Sequence, residues 1–357
     1  MKPKQNWEEG LIRRREVARL AGVSEATVSR VLNGVGPVKE DTRERVLAAA
    51  RQLNYVPSAL AQRFARSKSG NLGVILPLLP KVNLFSTYYF SEILSGIGVT
   101  AKERGYDLLL LFRKPDESRD YANLFRTQKV DGCIILGAQD VPGERAALAE
   151  LQEGNYPFCL VNQRFDGEAY NTIDADQGMG SHEAARTLIG QGCRRILFLN
   201  GPDVYSNSVD RLDGYKQALE EAGLPFDPAM VLTGNYSRTS GYQHAEAVAA
   251  MIGAGLADAV IAANDRMAIG LLQGLKERGM RAGVDAAIIG CDDSEGARLT
   301  DPPLSSIMVP FYQIGCEAAS QLLGIITADS NDQDRQEVIH VKLPVRLVVR
   351  ASSRTPT

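Results

Sequence analysis

From about residue 71 onward, short apolar segments that predict strands alternate with longer amphipathic segments that predict helices. The apolar segments are, in order, GVILPLL, DLLLLF, DGCIIL, FCLVN, RILFLN, AVIAAN and AAIIGCDD. Such alternation is typical of a parallel sheet wound with helices. Because the series is too long for one sheet, we predict an α/β core of two doubly wound parallel-sheet subdomains that face each other across a cleft. Polar residues at the carboxyl ends of the strands should line that cleft.

The chain has 357 residues, 44% of them hydrophobic and 23% charged, which suffices for one small domain and one large one. Its N-terminus lacks the apolar segment of an export signal, and no run reaches the about 18 apolar residues of a membrane span, so we expect a cytoplasmic protein without membrane contact. The five cysteines are odd in number and widely spaced, which indicates reduced thiols. The three histidines do not stand at metal-ligand spacing, so we expect no metal site. Since no GxSxG, phosphate loop or zinc spacing occurs, we expect neither an enzyme nor a cofactor.

The segment Arg15–Gly34 predicts two short helices around a tight turn at Gly22. Ser24 should cap the second helix. The apolar side chains expected to face inward are Val17, Leu20, Val28, Val31 and Leu32, and the polar or small ones expected to face outward are Glu25, Ala26, Ser29, Arg30 and Asn33. The pattern predicts a helix-turn-helix that enters a DNA major groove, although a purely structural helical hairpin would have the same apolar spacing.

Charge favours the DNA-binding alternative. Residues 1–70 contain 14 Lys and Arg against 7 Asp and Glu, which leaves 26 against 36 for residues 71–357. A basic end on an acidic body suits a protein that docks that end on a polyanion. A third helix should follow, opened by Glu40 and Asp41, with Val46, Leu47, Ala50 and Leu53 facing the core.

The next segment, NYVPSALAQRFARSKSG, predicts a short helix that begins at Pro57 and ends before Gly70. About nine residues are too few for a helix that is stable alone, so this linker should order only when another surface holds it. An exposed Phe64 there could insert between base steps of the minor groove, or it could pack against the body of the protein.

The chain resembles the LacI/GalR family of transcriptional regulators from about Arg13 to Arg350. The matching motifs are VARLAGVSEATVSRVLNG, TRERVLAAARQLNYVPSALAQRFARS, FSEILSGI, DGCIIL, RLDGYKQALEEAGL, AANDRMAIG and GCDDSEGARLTDPPLSSI. The resemblance implies an all-α helix-turn-helix head (11–57), a hinge helix or linker (58–70) and a periplasmic-binding-protein-like core (71–357). The core would comprise subdomain N, about 71–162 and 292–325, and subdomain C, about 163–291 and 326–357. It further implies a homodimer that grips pseudo-palindromic double-stranded operator DNA.

Carried over from the family, the base-reading positions fall on Glu25, Ala26 and Arg30, and the positions near phosphates are Ser24, Thr27, Ser29 and Asn33. An arginine can pair bidentately with guanine, whereas Glu25 could accept a hydrogen bond from cytosine or simply face solvent. Three residues depart from the family pattern: Arg14 replaces an apolar residue, Lys39 a serine cap, and Phe64 the usual leucine wedge.

For the cleft, the resemblance points to Arg211 and Asp265 as polar anchors, with Tyr236, Tyr89 and Phe90 as aromatic lining and Asn162 as a weaker candidate. A guanidinium and a carboxylate can hold sugar hydroxyls while a ring stacks on the apolar face. The alternatives are that Arg211 pairs with Asp210 or Asp213, that Asp265 caps its helix, and that Phe90 is core. Asp292 and Asp293 should be structural, satisfying backbone donors where the chain crosses between the subdomains.

The resemblance therefore implies a sequence-specific DNA-binding regulator, a repressor whose operator affinity is controlled by a small effector. A sugar is the first expectation for that effector. A nucleobase or nucleoside corepressor is the alternative, and nothing in the sequence sets the sign of the effect. A solute receptor of a transport system would share the two wound halves, but it would need an export signal and no helix-turn-helix.

Overall fold

The computed structural model describes residues 14–34, 36–56, 68–79, 83–114, 117–328 and 337–354. The chain divides into two compact units, Met1–Gly70 and Asn71–Thr357. The division falls at the junction where the sequence places the end of the linker. The predicted helix from Pro57, with Phe64, lies outside the described residues.

The smaller unit is a bundle of three helices: α1 (Arg14–Ala21), α2 (Glu25–Asn33) and α3 (Glu40–Gln52). Val17, Val28 and Val46 are its fully buried centre. Leu20 and Leu47, both expected to face inward, are instead 47% and 39% exposed.

Leu20 and Leu47 are exposed because other residues of the same helices complete the buried faces. In α1 the residue four positions after Val17 is Ala21, which is buried in place of Leu20. In α3, Ala49 and Ala50 follow Val46 into the core and leave Leu47 at its edge. Small alanines on the facing sides let the three short helices approach closely.

The larger unit contains two six-stranded sheets. The strands of the first sheet are, in spatial order, β11 (His340–Leu343), β5 (Thr172–Ala175), β4 (Phe158–Val161), β3 (Gly132–Leu136), β1 (Asn71–Pro77) and β2 (Asp107–Arg113), and all pairs are parallel. The strands of the second sheet are β12 (Arg346–Val348), β10 (Ser305–Met308), β9 (Ala287–Asp292), β8 (Ala259–Ala262), β6 (Ile196–Asn200) and β7 (Val231–Thr233). Only the edge strand β12 is antiparallel among the pairs described. The predicted architecture of two doubly wound α/β subdomains is confirmed.

Helices cover the sheets. They are α4 (Tyr88–Glu103), α5 (Ala122–Arg126), α6 (Pro142–Glu153), α7 (Gln177–Gly190), α8 (Ser206–Glu221), α9 (Arg238–Gly253), α10 (Asp265–Glu277), α11 (Glu295–Leu299) and α12 (Phe311–Thr327), with 3₁₀ turns at Leu84–Ser86, Pro228–Met230 and Ala351–Ser353. Three pairs pack along their length: α4 with α12, α7 with α8, and α9 with α10. In the α9–α10 pair a Cβ on Gly270 would lie 1.9 Å from the Arg238 carbonyl oxygen, so the closest approach requires glycine. None of the helices within the described ranges is long and apolar enough to cross a membrane.

The sheets correct the predicted subdomain limits in three places. Strands β5 and β11 belong to the first sheet, although the sequence placed both in subdomain C, and β10 belongs to the second sheet rather than to subdomain N. The reason is strand pairing: residues 172–175 hydrogen-bond to β4 before the chain crosses, and residues 305–308 still pair with β9. The crossings therefore lie close to residues 176, 309 and 344.

Candidate functional site

The outward helix of the small unit, α2, is closed at both ends. The Ser24 hydroxyl accepts a hydrogen bond from the Thr27 amide at 3.2 Å, so Ser24 is the cap that the sequence predicts. Gly34 ends the helix with a left-handed φ of 67°. Lys39, by contrast, stands at the cap of α3 without a side-chain cap bond, as its departure from the family pattern suggests. Capping at both ends holds a nine-residue helix that would be marginal on its own.

The exposed face of α2 carries Ser24, Glu25, Ala26 and Arg30, with Thr27 and Ser29 half-buried. Arg30 makes no hydrogen bond or ion pair within the described part of the chain, so its guanidinium is available to a ligand. Glu25 lies 3.5 Å from the Nε of Arg14, an exposed ion pair that links the starts of α1 and α2.

Asn33 does not face outward as predicted. It is only 8% exposed, its amide donates to the Ser29 hydroxyl at 3.1 Å, and its Oδ1 is buried without a partner among the described residues. The last turn of α2 rolls this side chain toward the core, beside the Gly34 cap. Phe64, the expected minor-groove wedge, lies outside the described residues.

In the large unit a cavity of about 360 Å³ lies between the carboxyl edges of the two sheets. Both subdomains contribute walls, as the sequence predicts for a doubly wound pair. Of the predicted residues, the cavity is lined by Arg211, Tyr236, Tyr89, Phe90 and Asn162.

Arg211 is held inward. It is 4% exposed, its Nε donates to Gln177 Oε1 at 3.0 Å, and its Nη1 donates to the Tyr236 hydroxyl at 3.2 Å. The alternative surface pairing is wrong, because Asp210 binds Arg164 at 2.6 Å and Asp213 binds Lys216 at 3.1 Å.

The Tyr236 hydroxyl hydrogen-bonds to several side chains of this wall. Its hydroxyl hydrogen-bonds to Ser208 and donates to Asn207 Oδ1 at 3.2 Å. Its ring lies where a side chain on Gly201 would otherwise be, and burial raises the pKa of its phenol. The phenol is thus a neutral group whose one proton and two lone pairs are used by Asn207, Arg211 and Ser208, so a ligand hydroxyl would bind it by replacing one of these partners.

The opposite wall is aromatic. The ring of Tyr89 meets Phe90 edge-on at 4.8 Å and Phe311 at 5.0 Å between centroids. Asn162 donates to the Tyr89 hydroxyl at 3.5 Å and accepts from the Ala175 amide at 3.3 Å, so its polar atoms are partly used within the fold. Phe90 is both core and lining, since it is 8% exposed yet borders the cavity.

Asp265 is not among the lining residues and corrects the prediction. It is fully buried and accepts three hydrogen bonds, from the Ser294 amide at 2.7 Å, the Ser294 hydroxyl at 2.8 Å and the Ser306 hydroxyl at 2.6 Å. Burial raises the pKa of Asp265 to about 6 despite these bonds. Nor does it cap α10, because the cap is Asn264, whose Oδ1 accepts from the Met267 amide at 2.9 Å. Asp265 ties α10 to the segments after β9 and in β10.

Asp292 is the carboxylate that lines the cavity. The sequence interpretation gave Asp292 and Asp293 a structural role on backbone donors. Asp292 does accept from the backbone amide of Asp265 while it also lines the cavity, whereas Asp293 binds two arginines, Arg350 at 2.5 Å and Arg298 at 3.2 Å. Burial, and then the neighbouring Asp265, raise the pKa of Asp292 well above its ordinary range. Arg266, which the sequence reasoning also missed, adds a half-buried guanidinium to the lining. Both follow strand ends, the one signal that could have found them.

Comparison with known proteins identifies the two units. Residues 15–58 match the bacterial regulatory proteins of the lacI family, and residues 185–353 match the periplasmic binding protein-like domain. The HTH-type transcriptional regulator CelR of Thermobifida fusca is 33% identical over 344 residues, 94% of this chain and 96% of CelR.

Solved structures agree. A complex of transcriptional regulator CelR with cellobiose is 31% identical and superposes with a TM-score of 0.72, covering 96% of this chain and 100% of that one. The lac repressor dimer bound to operator and the anti-inducer ONPF is 28% identical, with a TM-score of 0.79 over 96% of this chain and 99% of that one. The chain therefore belongs to the lacI family of bacterial regulatory proteins and is a DNA-binding transcriptional regulator.

Proposed function

We propose that a small carbohydrate bound in the cavity between the two sheets sets the affinity of this regulator for its operator. The observation that carries the proposal is the cavity itself, in which the Arg211 guanidinium, the Asp292 carboxyl group and the Tyr236 hydroxyl face aromatic rings of the other subdomain. A carbohydrate site needs polar groups that bind the hydroxyls and, opposite them, aromatic rings that cover the apolar face of the sugar.

Control follows from where the cavity lies. Because its walls come from both subdomains, a ligand that contacts both favours one relative arrangement of the two sheets over another. A ligand that binds the two arrangements unequally shifts their populations, with a coupling free energy of about 1–3 kcal/mol in typical cases. The role is binding, without catalysis, and it is exerted in the cytoplasm, where the DNA is.

On DNA we propose that α2 enters the major groove, with Arg30 reading a base and Ala26 touching a methyl group. Ser24, Thr27 and Ser29 would lie along the phosphates, and Glu25 would read cytosine only if it leaves Arg14. The family relative solved on operator is a dimer. A homodimer of this chain would likewise place one α2 on each half of a pseudo-palindromic site.

The test begins with an operator selected from random duplex DNA with the full-length protein. Its affinity is then measured by fluorescence anisotropy at fixed salt, with and without sugars, sugar acids, sugar phosphates and purines. We expect one carbohydrate to change the operator Kd by about 5- to 150-fold, which is the range of typical allosteric coupling. Purines are the competing class, and a response to a purine alone would replace the carbohydrate.

Arg211→Ala should abolish the response to the carbohydrate. Lys216→Ala is the matched control, because Lys216 lies on the same helix α8 but pairs with Asp213 at the surface. If Arg211→Ala responds like the unaltered protein, the effector does not use this cavity and the proposal fails.

A further inference from the structure

The charged lining of the cavity is unbalanced. Within the described residues, its charged members are Arg211, Arg266 and Asp292, which is two guanidinium groups against one carboxyl group. Asp292 interacts electrostatically with both arginines.

Neither arginine has a carboxylate of its own. Arg211 donates hydrogen bonds to two neutral oxygens, those of Gln177 and Tyr236. Arg266 has no hydrogen bond or ion pair to any residue in the described ranges, although it is half-buried and desolvation lowers its pKa. A partly desolvated cation without a partner is costly unless a ligand supplies the missing charge.

Elsewhere this fold pairs its buried or half-buried arginines. Arg119 and Arg113 lie 2.6 Å and 3.3 Å from Glu144, and Arg164 lies 2.6 Å from Asp210. Arg350 shares the same arrangement with Asp293. The two arginines in the cavity are therefore an exception within the described structure, at the one place where a ligand is expected.

Asp292 does not remove the imbalance. Its carboxyl group is shared between two cations, and burial, followed by the neighbouring carboxyl group of Asp265, raises its pKa and disfavours its charged form. The less of the time Asp292 is ionised, the more positive the cavity becomes.

We infer that the effector is a carbohydrate that bears an acidic group, a carboxylate or a phosphate ester, which Arg211 and Arg266 bind together. The inference rests on the proposed function and narrows its ligand class. Guanidinium groups bind both kinds of anion through paired hydrogen bonds. Asp292 and the side-chain amide nitrogen of Asn235, which also line the cavity, are then left for the hydroxyls, because the Asn264 side chain already accepts from the Met267 amide and donates to the Tyr236 carbonyl.

Isothermal titration calorimetry on the full-length protein tests this with matched sets of probes. Three sets hold a neutral sugar, its uronate and its 6-phosphate, for glucose, galactose and mannose. A fourth pairs cellobiose with cellobionate. We expect an acidic member of one set to bind at least about 10-fold more tightly than its neutral parent, the ratio that corresponds to 1.4 kcal/mol. Whether that member is a carboxylate or a phosphate identifies the source of the anion.

Arg266→Gln should reduce this preference about 10-fold while the neutral parent still binds within about twofold. Arg281→Gln is the control for net charge, since Arg281 is exposed and precedes β9 at the opposite edge of the sheet. A second measurement needs no sugar: Arg266→Gln should raise the melting temperature of the unliganded protein, because it removes an unpaired, half-buried charge, and Arg281→Gln should not.

A neutral sugar that binds as tightly as its acidic forms overturns the inference, as does the failure of every acidic probe to bind or a lower melting temperature of Arg266→Gln. The proposed function is judged separately. A neutral sugar that shifts operator affinity leaves the proposed function standing and refutes the acidic effector. An acidic sugar that binds in the cavity without changing operator affinity refutes the proposed function, while the preference of the cavity for an acidic ligand stands.

Discussion

Glu144 should contribute far more to stability than Glu150, although both lie on helix α6 and both accept a 2.6 Å hydrogen bond from an arginine. The Glu144 side chain is fully buried, whereas that of Glu150 is 42% exposed. Glu144 also accepts from the Tyr121 hydroxyl at 2.6 Å and lies 3.3 Å from Arg113. Glu144→Ala therefore removes a buried carboxylate with several partners, whereas Glu150→Ala removes an exposed one.

The magnitude follows from what Glu144→Ala leaves behind. The side chains of Arg113 and Arg119, 9% and 12% exposed, would lose the carboxylate that they share. Removing one partner of a buried ion pair costs about 3–5 kcal/mol, because the other charge stays desolvated. In a unit of this size that corresponds to a fall of about 10 °C in melting temperature. Glu150→Ala breaks a solvent-screened pair and should shift it by less than about 2 °C.

Urea and thermal denaturation followed by far-UV circular dichroism measure both effects, since the larger unit holds most of the helices and all the strands described. A triple variant in which Glu144, Arg113 and Arg119 all become methionine should recover much of the loss, because no unpaired charge then remains. Equal losses for Glu144→Ala and Glu150→Ala would refute the reasoning. So would a triple variant less stable than Glu144→Ala alone.

Three further predictions concern the head, the Asp265 cluster and the helix contact. Arg30→Ala should weaken operator binding by about 1–3 kcal/mol and relax preference at one base pair, measured by anisotropy on operator variants. Asp265 has a pKa of about 6 in the folded protein and its ordinary 3.8 in the unfolded chain, so the folded state binds the proton more tightly. The free energy of unfolding, measured in urea titrations relative to Asp265→Asn, should therefore fall as the pH rises from 3.8 to about 6, by at most about 3 kcal/mol. Gly270→Ala should prevent the α9–α10 contact at Arg238 and lower the melting temperature by more than about 10 °C. Gly253→Ala should not, because a Cβ there would meet only the Met280 side chain, at an ordinary contact distance of 3.7 Å.

The strands that the sequence predicts correctly are those in long apolar segments. The seven predicted strands correspond to β1–β4, β6, β8 and β9, and all of these except the edge strand β2 are buried along most of their length. The missed strands β5, β7, β10, β11 and β12 are only three or four residues long. β4 and β8 are equally short but entirely apolar, whereas each missed strand includes at least one polar residue. A short segment of mixed polarity shows no period, and its place in a sheet depends on partners far away in the chain. The misplaced subdomain limits follow directly, because three of these strands mark where the chain crosses.

The exchange of roles between Asp265 and Asp292 has a backbone cause. Asp265 follows β8 and Asp292 is the last residue of β9, so their sequence contexts predict the same edge of the same cleft. Asp265 starts a regular helix, and its side chain reaches back to Ser294 and Ser306. Asp292 instead has a φ of 117°, in a region that L-residues seldom occupy, and this backbone accompanies a side chain that lines the cavity. No apolar period encodes a positive φ at a non-glycine residue, so residue type and spacing predict that a carboxylate lies at this edge but not which one faces the ligand.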